Sequence, residues 1–135
     1  MENSISYLNN KKITAQEMSI LFQSSGIHRP IDDMKRLSAM IENASIIWTA
    51  WDDDKLVGVA RALTDFSYAC YLSDLAVDIN YQKQGIGKTL INKIHGQIGP
   101  DVSLLLLSAP SAMSYYPKIQ FENVDNAFLI KRKPF

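Results

Sequence analysis

The eight residues Gln82-Lys83-Gln84-Gly85-Ile86-Gly87-Lys88-Thr89 constrain this chain more than any other stretch, because of what flanks them. Before them runs Tyr68–Val77, strand-like in composition. After them Ile86, Leu90, Ile91, Ile94 and Ile98 recur at helical spacing. A strand, a glycine-rich turn and a helix start together make an anion site. Glycine lets the backbone approach a ligand, and the first N–H groups of a helix have no internal partner and carry partial positive charge. A diphosphate suits such a place.

Two common nucleotide loops share part of this pattern. Gly87-Lys88-Thr89 matches the end of a Walker loop, but the glycine required at its start is Gln82. The dinucleotide fingerprint requires a third glycine where this chain has Leu90. Both patterns fail on the residues, and nucleotide phosphate binding is disfavoured. What remains is Gln-x-x-Gly-x-Gly after a strand. This resembles the coenzyme-A motif of the GNAT superfamily of N-acetyltransferases. Downstream, Tyr115-Tyr116-Pro117-Lys118-Ile119-Gln120-Phe121 is similar to a second motif of that family, aromatic-Tyr-x-x-x-Gly-Phe, with Gln120 where the glycine stands.

With 135 residues, 47% of them apolar, the chain reads as one domain with a real core. Formal net charge is zero and no long basic run occurs, which argues against nucleic acid as partner. No leader-like start and no membrane-length apolar run is visible. One cysteine, Cys70, fits a reducing compartment, so a cytoplasmic location without membrane association is expected. Asp52-Asp53-Asp54 reads as a solvated turn, and no metal site is expected.

Along the chain, Ser4–Leu8 alternates as a short strand, and Thr14-Ala15-Gln16-Glu17 has capping-box spacing ahead of a helix. A second helix opens near Ile31-Asp32-Asp33, with a stripe of Met34, Leu37, Met40, Ile41 and Ala44. Ser45–Trp51 and Leu56–Thr64 read as a hairpin, and Tyr68–Val77 extends it. Gly99-Pro100 ends the central helix. Val102–Leu107 reads as a strand buried on both faces, parallel to Tyr68–Val77 through a right-handed crossover. A short helix over Ser111–Tyr116 and a closing strand over Ala127–Lys131 complete the order β-α-α-β-β-β-α-β-α-β. That is a mixed α/β fold with a mostly antiparallel sheet, similar to the GNAT core.

The resemblance implies acetyl-CoA as co-substrate, direct acetyl transfer to the primary amine of a small molecule or peptide, and no metal. It places the pantetheine arm along the free edge of Leu75, Ala76 and Val77. It places the diphosphate on N–H groups of Gln82, Lys83, Gln84, Gly85, Ile86, Gly87, Lys88 and Thr89, with Ser108 and Ala109 on the far side. It gives Tyr116 the role of acid to the leaving thiolate. Tyr115 reads as a core residue. Asp74 lies in an otherwise apolar strand and has two readings: base or contact for the amine, or a buried structural carboxylate. In a regular strand its neighbour Ser73 points to the other face. Arg29 is a candidate contact for a substrate carboxylate, or a surface arginine. The acceptor is not legible. Homodimerisation through an exposed strand edge is one expectation for assembly. A non-catalytic acyl-coenzyme-A-binding module is the alternative reading.

Overall fold

The structure, a computed structural model, describes residues 4–135. In chain order it contains β1 (Ile5–Leu8), α1 (Ala15–Ser25), α2 (Met34–Glu42), β2 (Ile46–Asp52), β3 (Lys55–Thr64), β4 (Ala69–Val77), α3 (Ile86–Ile98) and β5 (Ser103–Leu106). Short 3-10 turns occupy Ile79–Tyr81, Pro110–Ala112 and Tyr116–Ile119. The five strands form one sheet in sequence order. Neighbours are antiparallel except β4 and β5, which are parallel and joined through α3.

Local chemistry accounts for the helix limits. Thr14 accepts from the Glu17 N–H while the Glu17 carboxylate accepts from the Thr14 N–H, a complete capping box. Gly26 closes α1 in the left-handed region. Asp33 caps α2 by accepting from the Arg36 N–H, so that helix starts three residues later than its acidic run suggests.

The sheet separates two apolar layers. On one face α3 buries Ile86, Leu90, Ile91, Ile94 and Ile98 against Ala50, Ala60, Ala62, Cys70 and Leu72. On the other, α1 and α2 bury Met18, Leu21, Phe22 and Leu37 against Trp51, Val59 and Ala76. Gly58 on β3 sets how closely α3 sits. A Cβ there would stand 3.1 Å from Ile86 Cγ2 and 3.2 Å from Leu90 Cδ1 and Ala50 Cβ.

Three expectations for the C-terminal third are corrected. Ala127–Lys131 forms no strand, and Phe128 and Ile130 are each 97% exposed. The apolar run Val102–Leu107 is consequently not covered on both faces. β5 is the sheet's edge, and Leu105 and Leu107 stand in solvent. The helix expected over Ser111–Tyr116 is replaced by two 3-10 turns, the second opened by Pro117 just after its first residue.

Gly58→Ala tests the packing of α3. The added methyl should destabilise the fold by about 1–3 kcal/mol in urea unfolding, because two branched side chains and the helix carrying them must shift. An unchanged midpoint would show that this approach sets nothing.

Candidate active site

The site begins with a break in pairing. β4 pairs with β3 along its length, from Thr64↔Cys70 to Gly58↔Val77. Against β5 it pairs only from Ala69↔Ser103 to Leu72↔Leu106. Beyond Leu72 the parallel strands part, leaving the edge Ser73–Val77 without a strand partner on that side. The expected free edge of Leu75, Ala76 and Val77 lies in this opening. Ser108, just past β5, stands on the opposite side of the gap and donates its hydroxyl to the Ala109 carbonyl at 2.7 Å.

A bulge accompanies the parting. Arg61 faces Asp74, and the next residue on β3, Ala62, faces Leu72, so Ser73 is an extra residue on β4. The bulge switches the side-chain alternation. Cys70 and Leu72 pack on the α3 face, whereas beyond the bulge it is Leu75 and Val77 that do so, and Ala76 joins the α1–α2 layer. It also lets Ser73 and Asp74 reach the same partner, where a regular strand would direct them apart. Arg61 Nε donates to Asp74 Oδ2 at 2.5 Å, and its Nη2 donates to Ser73 Oγ at 2.9 Å.

Asp74 is 1% exposed, and both its oxygens are engaged. Arg29 Nε donates to Oδ1 at 2.5 Å, opposite the Arg61 bond. Arg29 also donates to the Ser73 carbonyl at 2.9 Å and to its neighbour His28 at 2.8 Å. The two readings of Asp74 are therefore unequal. It is a buried carboxylate between two guanidinium groups, which gives an incoming amine neither an open oxygen nor a net negative field. Arg29, a candidate substrate contact, has each of its three guanidinium nitrogens bonded to an acceptor of the chain itself, and its side chain is 29% exposed.

The glycine turn closes one end of the opening. Lys83 and Gly85 both have positive φ, 65° and 84°. Such left-handed residues in a tight turn fold successive N–H groups into a concave nest. α3 then starts at Ile86, and its first internal bond is from the Thr89 N–H to the Gly85 carbonyl at 3.0 Å. Among the described residues the N–H groups from Gln82 to Lys88 donate to no protein acceptor. The side chains have other tasks. Gln82 donates its amide to the Val77 carbonyl at 2.9 Å and the Ser25 carbonyl at 3.3 Å, pinning the turn to β4 and α1. Ile86 is buried in the core, Thr89 donates to the Gly85 carbonyl at 2.8 Å, and Lys83, Gln84 and Lys88 are exposed.

The tyrosine pair is split between two environments. Tyr116 lies edge-on to Phe121 and packs on the α3-side core. Burial raises its phenol above the usual value, and the neighbouring Tyr115 adds to this. Tyr115, expected in the core, is instead half-exposed. Its hydroxyl oxygen, with Leu75 Cδ2 and Val77 Cγ2, stands 3.8 Å from where a Gly87 side chain would begin. Gln120 takes the left-handed conformation, φ 78°, that a glycine would adopt at that place in the motif, so the turn survives the substitution.

A parallel pair split at one end, with a backbone nest at the foot of the opening, defines a class: acyltransferases that hold a long thioester carrier against a strand edge. Residues 11–131 match the model of the "Acetyltransferase (GNAT) domain" family, so the chain belongs to the GNAT family, whose co-substrate is acetyl-CoA. It is 31% identical over 119 residues to the uncharacterised N-acetyltransferase ycf52 of Pyropia yezoensis, covering 83% of this chain and 67% of that one. It is 35% identical over 72 residues to the chloroplastic GCN5-related N-acetyltransferase 2 of Arabidopsis thaliana, covering 52% of this chain and 28% of that protein. A probable acetyltransferase from Staphylococcus aureus has the same fold, with TM-score 0.81 at 21% identity over 96% of this chain and all of that one. AAC(6')-Iy bound to a bisubstrate coenzyme-A analogue superposes with TM-score 0.71 at 14% identity, over 97% and 99% of the two chains. No described helix is long and apolar enough to cross a membrane.

Sequence reading missed Arg61. Its signal was present: one charge in the apolar strand Leu56–Leu63, and one acid, Asp74, in the next. Asp74→Asn should cost about 3–5 kcal/mol, because Arg61, only 7% exposed, is left buried without its counter-charge. Thermal or urea unfolding reads this directly, and a loss below about 1 kcal/mol would place the pair among ordinary surface ion pairs.

Proposed function

We propose that this protein moves the acetyl group of acetyl-CoA directly to the primary amine of a small molecule or peptide. The observation that carries the reading is the parting of β4 from β5 beyond Leu72 with the N–H nest of residues 82–88 at its foot. The N–H groups of the turn take the diphosphate, and Lys88 adds charge from its exposed position. The pantetheine amides pair with the edge at Leu75, Ala76 and Val77, as an added strand would. The Tyr115 hydroxyl, beside Gly87, Leu75 and Val77, is a coenzyme contact near the diphosphate end.

In the transfer, the amine nitrogen forms a bond to the thioester carbonyl carbon. The carbon–sulfur bond breaks as the amide forms, and the nitrogen gives up a proton. Edge N–H groups of β4 stabilise charge on the carbonyl oxygen. Tyr116 returns a proton to the sulfur. Its raised phenol keeps that proton beyond the ordinary tyrosine value of 10.0. An amine of pKa about 10 is neutral in about one part per thousand at pH 7, which costs roughly 4 kcal/mol. With Asp74 paired to two arginines, that proton leaves to water. The Arg29–Asp74–Arg61 cluster carries net positive charge, which favours an acceptor whose remaining groups are neutral or acidic. A cytoplasmic compartment completes this reading, in keeping with the buried, unbonded Cys70.

Thiol release from acetyl-CoA across a panel of amines tests the reading. Tyr116→Phe should lower kcat by about 100-fold with coenzyme affinity retained. Tyr115→Phe should weaken coenzyme binding about tenfold, the worth of one hydrogen bond to a charged group, with kcat retained. The reverse assignment of effects would exchange the two roles. Coenzyme binding without turnover on any amine would favour the binding-module reading.

The pH profile supplies a separate check. Since the amine itself must lose the proton, kcat/KM should rise with unit slope from neutral pH toward the amine's own pKa. Because burial raises the Tyr116 phenol, the fall due to loss of the acid should come only above pH 10. A plateau beginning near pH 6 or 7 would reveal a protein base and overturn the role given to water.

A further inference from the structure

Between the end of β4 and the nest lies a tight turn, Asp78–Tyr81, held by its own bonds. The Asp78 N–H donates to the Val57 carbonyl at 2.9 Å, and the Tyr81 N–H to the Asp78 carbonyl at 2.8 Å. The Asp78 carboxylate accepts from the Asn80 N–H at 2.9 Å. The tip of the β2–β3 hairpin grips this turn from outside. Asp52 and Lys55 are opposed in the hairpin register, and each reaches the turn. The Tyr81 hydroxyl donates to Asp52 Oδ2. The Lys55 ammonium stands 3.6 Å from Asp78 Oδ2 and 5.3 Å from the centre of the Tyr81 ring, which packs on the α3-side core. Accepting that bond, the Asp52 carboxylate raises the Tyr81 phenol above its ordinary value, so the hydroxyl remains a donor at neutral and mildly alkaline pH.

We propose that Tyr81 is a positioning residue for the coenzyme: its bond to Asp52 fixes the entry of the nest, so the hairpin tip sets how tightly the diphosphate is held. The inference rests on the reading of the nest given above. Three observations carry it. First, the nest contains Lys83 at φ 65°, a conformation that a residue with a side chain keeps only where its surroundings impose it. Second, the N–H groups from Gln82 to Lys88 donate to no described protein acceptor, so the turn's concave shape is not held by bonds of its own donors. Third, among the described residues the side-chain bonds that tie the entry of the nest to the fold come from Gln82 and Tyr81. Gln82 reaches β4 and α1, and Tyr81 reaches β2. The strained residue follows directly after these two anchors. The sign of the effect separates this role from simple charge. Asp52 is an acid beside an anion site, and by Coulomb repulsion alone its removal would tighten coenzyme binding. As a latch, its removal loosens it.

Calorimetry with coenzyme A, and kcat at saturating acetyl-CoA, test this. Tyr81→Phe keeps the ring and should weaken coenzyme binding about tenfold, with kcat at saturation retained. Asp52→Ala should weaken binding by a similar factor. The double variant should be no weaker than either single one, because both changes remove the same bond. Asp54→Ala, which removes an acid of the same tip that the latch does not use, should bind no more weakly than wild type. An unchanged Kd in Tyr81→Phe, a loss confined to kcat, tighter binding in Asp52→Ala or additive losses would each overturn the latch and leave the nest reading in place. A wild-type chain that takes up no coenzyme A at millimolar concentration would overturn both. Should Asp52→Ala fail to fold, Tyr81→Phe decides alone.

Discussion

The bond pattern around Asp74 is the constraint on which the cleft depends. Two guanidinium groups meet one carboxylate, and both arginines also bond to Ser73, one through its carbonyl and one through its hydroxyl. The bulge is therefore clasped from β3 on one side and from the α1–α2 connector on the other. Three ionised groups out of bulk water are not a cheap way to gain stability, and an apolar trio would serve that end as well. What the cluster supplies is geometry. It holds an extra residue in β4 at the point where pairing with β5 stops, and so sets where the free edge begins. The connector carrying His28 and Arg29 is brought to the opening by the same bonds.

A cofactor held by backbone asks little of side chains. This is why, on the proposed reading, Lys83, Gln84 and Ile86 can be a left-handed exposed residue, an exposed amide and a core residue within a single turn. Gln82 is the exception. Its place in the motif is explained by its tie to the Val77 and Ser25 carbonyls. It fastens the nest to the end of the strand that carries the free edge. The donor nest and the strand edge are thereby tied to each other, with Gly58 allowing α3 to lie close to the sheet behind them.

Much of this was legible in the chain because it depends on local chemistry. The capping box at Thr14 and Glu17, the five-residue stripe of α3 and the Gly85 start each involve only near neighbours in sequence. The hairpin of β2 and β3 and the parallel return of β5 followed from turn residues and handedness. The bulge did not, since it is a choice of register between strands, set by Arg61 and by an Arg29 far away in the chain. Tyr115 and Tyr116 were also indistinguishable by pattern. Adjacent aromatics separate only when the backbone decides which one faces the core, and here a 3-10 turn, not the expected helix, makes that decision.

The remaining misreading has the same origin and more consequence. Val102–Leu107 has the composition of a central strand, and Ala127–Lys131 that of its neighbour, yet the two do not pair. A run with the composition for burial on both faces stands at the sheet's edge, with Leu105 and Leu107 exposed. The β4–β5 side of the sheet thus has two stretches of open edge with opposite chemistry. At the end of β4 the exposed groups are backbone amides flanked by a cationic cluster and a donor nest, which suits a flexible, polar, anionic ligand. Along β5 the exposed groups are leucines, beside a tail in which Phe128 and Ile130 are exposed as well.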